Sequence, residues 1–103
     1  MSFALNAFNI FADTTAAYHT TDNVDSPFAN PHPAGSVEHL LAEKNWVDAV
    51  QWHLEDIIRD PAIDPVEALA LKRRIDRSNQ VRTDMVEDLD SYFRDRYATV
   101  TTA

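Results

Sequence analysis

Apolar residues recur along this chain at the three-to-four spacing of amphipathic helices, in stretches divided by polar, proline-bearing segments. In residues 1–18, Ala4, Phe8, Phe11, Thr15 and Tyr18 make one face, which Leu5 and Ala12 widen. The pattern predicts a short helix that must dock that face, because isolated helices of this length are marginal in water. The period fails over residues 19–35, which hold three prolines and the only glycine of the chain. So long an irregular connection is unusual in a compact domain and is generally either functional or disordered.

A second helix is expected over residues 36–59, with Ser36 as its N-cap. Leu40, Val47, Val50, Leu54 and Ile57 form its stripe, widened by Trp46 and His53. Leu41 and Trp52 fall on the opposite side, so this helix is expected to be covered twice. Asp60 to Asp64 is a tight connector. Asp64 then caps a third helix, Pro65 suits its first turn and Glu67 stands at the capping-box position. With no glycine or proline after Pro65, that helix is predicted over residues 65–97, with Ala98 to Ala103 fraying. At 1.5 Å per residue it is about 50 Å long. Its inner stripe reads Ala68, Leu71, Ile75, Asn79, Arg82, Val86, Leu89 and Phe93.

The tight connector makes the last two helices an antiparallel hairpin. The implied register sets Leu54 against Ala70, Val50 against Ile75, Val47 against Ser78 or Asn79, and Glu43 against Arg82. The fold class is therefore all-α: a short N-terminal helix, a long irregular loop and a long helical hairpin. Because the middle helix is apolar front and back, self-association into a four-helix-type bundle is expected to complete the fold.

Composition narrows the function classes. The 103 residues suit one helical domain, and the 45% hydrophobic share supports a core. The absence of cysteine excludes disulfides, thiol catalysis and thiolate metal sites. A net charge of −8 and a single glycine argue against nucleic acid, anionic membranes and glycine-rich phosphate loops. No apolar run reaches the roughly 20 residues of a membrane span, and no signal peptide is legible, so a cytoplasmic setting is expected.

Candidate chemistry lies where polar residues interrupt apolar stripes. Glu43 and Arg82 read first as a register-fixing ion pair. Alternatively Arg82 binds an anion with Asn79, His53 and Glu43 around it, since its fork of donors matches carboxylate or phosphate. Glu55 and Asp56 on the second helix, with Glu87 and Asp90 on the third, are candidate ligands for magnesium or manganese, although no cofactor is required. The default for these acids is a solvated face, and the hairpin register holds the two pairs apart. His19, Asp22 and Asp25 are candidates in the loop, against a plainer role in turn formation. The basic run from Lys72 to Arg77 reads as a solvated or salt-bridged face.

Several segments together carry a resemblance. They are Asn45-Trp46, the run from Gln51 to Pro61, Leu71 to Asp76, Ser78-Asn79-Gln80, Arg82 and Asp84. With Tyr18-His19, Asp22 and Asp25-x-Pro27, the chain resembles the bacterial family named domain of unknown function 4254, common among Bacteroidetes. The resemblance implies a helical fold and no known activity. It also implies that members are about twice this length, with this chain matching the first half.

Two functions follow as expectations. The first is a non-enzymatic oligomerising or protein-interaction module, partnered by itself as a homodimer or higher or by another helical protein. The second is a small metal-dependent helical enzyme acting on a phosphorylated or nucleotide-like substrate, with Glu55, Asp56, Glu87 and Asp90 holding the metal.

Overall fold

A computed structural model shows three helices, α1 over Phe3–His19, α2 over Val37–Ile58 and α3 over Pro65–Thr102. The structure describes residues 3–102, with side chains through Arg96, and no strand occurs among the described residues. The expected caps form. Ser36 adopts extended dihedrals and its Oγ accepts from the His39 amide at 3.1 Å. Asp64 Oδ2 accepts from the amides of Val66 and Glu67 at 3.1 and 3.2 Å, opening α3. No helix breaker follows Pro65, and α3 continues past the expected end at Tyr97 to Thr102. Ala103 lies outside the described residues, as do Met1 and Ser2 at the expected start of α1.

The order of contacts explains the long loop. Asn6 of α1 lies beside Glu38, and Tyr18 beside His53, so α1 runs parallel to α2. A parallel pair requires the chain to travel back along its own length, and residues 20–36 do that. Phe28 stacks on Trp46 with ring centroids 4.6 Å apart. Asn30 Nδ2 donates to the His39 carbonyl and to Glu43 Oε1, each at 3.0 Å. Arg74 of α3 donates to Asp25 and to the Val24 carbonyl at 2.7 and 2.6 Å. Gly35 takes φ +87, a left-handed value that glycine adopts without strain, just before the α2 cap.

α3 returns antiparallel along α2, so α2 packs against both other helices, while α1 and α3 touch at one end through Phe3 and Phe93, whose ring centroids lie 5.3 Å apart. The shape is elongated, 59 × 25 × 20 Å. Its radius of gyration of 16.4 Å exceeds the roughly 13 Å of a globule this size. The core gathers Tyr18, Trp46 and Ala49, backed by Phe28 and Val50, while Leu54 and Ala42 are fully enclosed.

Four expectations need correcting. α1 does not bury Ala4, Phe8 and Phe11; it buries Ile10, Thr14 and Tyr18, and leaves Phe8 65% exposed. Phe8 and Ile10 stand about 200° apart on a helix, and Tyr18, held between Trp46 and His53, fixes which way α1 is turned. Across the hairpin, Gln51 meets Asn79, and Arg82 meets Asp48 in place of Glu43. That polar register is displaced by about one turn, because α3 begins past the end of α2, with Val66 and Leu69 in solvent. The inner stripe of α3 passes through Ser78 and Met85, leaving Val86 outward and Asn79 at the exposed edge, from which it reaches Gln51. Finally, both sides of α2 are covered by α1 and α3 of the same chain, so its two apolar sides do not require a second copy. Trp52 escapes that cover at 51% exposure, whereas Leu41 is half-buried.

Candidate functional site

The chemistry-bearing residues fall into two groups on opposite sides of α2. The first surrounds a cleft of about 360 Å³ between the C-terminal turn of α1 and the middle of α2. Thr15, Tyr18 and His19 come from α1, Asp22 from the following turn, and Ala49, Trp52, His53 and Asp56 from α2. The spacings explain the convergence. Thr15, Tyr18 and His19 lie within one turn, and Ala49, Trp52, His53 and Asp56 follow the three-and-four rule along one side of α2.

At the floor, the Tyr18 hydroxyl and His53 Nδ1 are hydrogen-bonded at 2.6 Å. Tyr18 is only 2% exposed. Burial raises its pKa above the ordinary value of 10.0, Asp22 adds to the rise, and Arg74 offsets part of it. The phenol thus stays protonated, and the direction of its bond to His53 follows the imidazole tautomer. Asp22 is in the left-handed region at φ 47, which a short polar side chain tolerates, and its amide donates to the Tyr18 carbonyl at 3.0 Å, closing α1. Its Oδ1 lies 2.8 Å from His19 Nδ1. Asp56 Oδ1 accepts from Arg59 at 3.2 Å on the exposed side.

The second group is a polar seam between α2 and α3. Asp48 is 7% exposed and sits between two cations, Lys44 Nζ at 2.9 Å from Oδ2 and Arg82 Nε at 2.6 Å from Oδ1. The Arg82 N–H is out of line with Oδ1, so this contact is an ion pair without a well-formed hydrogen bond. Beside it, Gln51 is 2% exposed and donates to Asn79 Oδ1 at 2.7 Å, while its own Oε1 is buried without a partner. Lys44, Asn79, Arg82, Thr83, Val86 and Glu87 line an open hollow of about 610 Å³ along this seam.

The structure brings together some of the sequence candidates and separates others. His19, Asp22, His53 and Asp56 share the cleft. Asp25 instead ties the loop to Arg74. Of the anion set, Arg82 and Asn79 share the hollow, but Glu43 is bonded to Asn30 and His53 lies across α2. Of the metal set, Glu55 contacts Gln51, Glu87 lines the hollow and Asp90 pairs with Arg94. Among the described residues, no three His, Asp or Glu side chains stand where one ion could be held. Within the basic run, Lys72 lies 3.7 Å from Asp76 and Arg74 holds the loop.

Sequence reasoning missed Asp48 and Tyr18 as site residues. The signals were present. Lys44 and Asp48 stand at i,i+4 with Val47 and Ala49 flanking Asp48 in sequence, and Tyr18 ends an apolar face beside a histidine.

The family follows from comparison with known proteins. Residues 38–103 match the model described as a protein of unknown function, DUF4254, and the chain belongs to that family. The match covers α2, the connector and α3; α1 and the loop, which supply Tyr18, His19 and Asp22, lie outside it. Comparison with curated proteins and with solved structures returns no match. No helix among the described residues is long and apolar enough to cross a membrane.

Proposed function

We propose that the protein is a non-enzymatic helical assembly module whose docking surface is the outer face of α1, with a second copy of the chain as its partner. One observation carries this reading. Leu5, Phe8 and Phe11 of α1 are 50%, 65% and 40% exposed, whereas Phe3, on the Ile10 side of the helix, packs edge-on against Phe93 of α3. Large aromatic side chains dominate interface energetics when covered. Covering these three on each of two copies removes about 600 Å², the apolar centre of an interface whose rim the neighbouring residues must supply.

Charge favours this helix as the meeting place. The chain carries −8 overall, so two copies repel over most of their surface. Between Phe3 and His19 the only carboxylate is Asp13. Like-charged copies can approach here at the least electrostatic cost. A metal-dependent enzyme has less support, because its four candidate carboxylates are dispersed over both helices of the hairpin.

Light scattering over a concentration series tests the reading. The wild type should be dimeric at the upper end of the series, and Phe8→Glu monomeric with unchanged helicity. A wild type that stays monomeric throughout, or a Phe8→Glu variant that still dimerises, overturns it.

A further inference from the structure

We infer that the cleft between the end of α1 and the middle of α2 binds an organic ammonium ion, seated against the Trp52 indole between Asp22 and Asp56. This does not rest on the dimer: Thr15 and His19 stand on the Phe8 side of α1 but about two to three turns further along it, and a monomeric chain carries the same cleft.

The size fits first. About 360 Å³ lies within the range of small-molecule sites, which are concave, largely apolar and equipped with a few polar groups. Ala49 and Thr15 supply apolar wall, and the Tyr18–His53 pair closes the floor with its hydrogen bond already made.

The walls then select charge. The two tryptophans differ: Trp46 is packed between Tyr18 and Phe28, whereas Trp52 is 51% exposed at the cleft. An accessible indole is the best aromatic surface for a cation. Asp22 and Asp56 both line the space, and no lysine or arginine does. His19 and Arg59 each engage one oxygen, Oδ1 of Asp22 and Oδ1 of Asp56, so each carboxylate keeps its Oδ2 for a ligand. The C-terminal end of α1 adds the negative pole of a helix to the same space. These terms act together on a positive ligand and against phosphate.

The donor set also separates an organic cation from a metal ion. A hard divalent ion needs about six oxygen ligands at short range. Here the described residues place no three ligating side chains around one point. An ammonium group needs neither that number nor that geometry, and it gains from the indole, which a hydrated metal does not.

Tetramethylammonium chloride is the probe, followed by NMR on the Trp52 indole N–H and the His53 ring. Sodium chloride at equal ionic strength is the control. The shifts should be saturable with tetramethylammonium only. Binding should weaken about tenfold or more in the Asp22→Asn/Asp56→Asn double variant, and equally in Trp52→Leu read on His53. Trp52 is exposed, so helicity and Tm report that the variant remains folded. Shifts reproduced by sodium chloride overturn the inference. So does binding that survives both variants.

Discussion

The two faces of α2 are built from different chemistry. Towards α1 and the loop the contact is aromatic: Tyr18, Trp46 and Phe28 pack edge and face, and one buried hydrogen bond joins Tyr18 to His53. Towards α3 the contact is polar at its centre, with Asp48 between Lys44 and Arg82 and Gln51 on Asn79. No described residue of α3 is fully buried. The aromatic side supplies stability through area removed from water. The polar side contributes little net stability, because desolvating the ions offsets their attraction, but a slipped register would strand a buried charge. One interface holds; the other aligns.

The largest test of that contrast is Trp46→Ala. It removes the ring on which Phe28 stacks and against which Tyr18 packs. The expected cost is about 3–5 kcal/mol in chemical denaturation, with loss of protection in the loop amides. A cost under about 1 kcal/mol would show that the aromatic side does not dominate.

A smaller effect is expected at the polar seam. Asp48→Ala leaves Lys44 and Arg82 facing each other without the shared carboxylate, at about 2–3 kcal/mol. Asp48→Leu combined with Arg82→Met should recover most of that loss, since apolar replacement of a buried pair is often neutral. If the double variant is as unstable as the single one, the seam stabilises directly and the contrast fails.

The smallest effect belongs to Tyr18→Phe, which keeps the ring but loses the bond to His53, at about 1 kcal/mol near neutral pH. It carries a pH signature. The phenol pKa is raised in the folded state, chiefly by burial, so the unfolded chain releases this proton first. The stability from keeping it neutral is whole below about pH 10 and falls as the pH climbs through the folded-state value. Alkaline denaturation curves should therefore fall less steeply for Tyr18→Phe than for the wild type.

Much of the fold was legible in the residues and much of the site was not. Ser36, Asp64 and Pro65 marked helix starts because capping is a local matter of a side chain and the next three amides. His19, Asp22, His53 and Asp56 each stood out as polar groups, yet nothing local indicates that they share one cleft. That depends on α1 running parallel to α2, which the loop makes feasible. The partner of Arg82 was misread for a related reason. Glu43 and Asp48 lie little more than one turn apart, and a hairpin register read from the connector is no finer than that.

The sequence by itself determined three helices, their starts and a long irregular loop, because periodicity, caps and breakers act over a few residues. Which face each helix buries was decided only in the assembled molecule. α1 is apolar widely enough to pack on more than one side, and the fit of Tyr18 between Trp46 and His53 chose Ile10 and Thr14 for the inside. Phe8 was left facing water by that choice, and Phe11, at the edge of the buried stripe beside Thr14 and Tyr18, is only part-covered at 40% exposure.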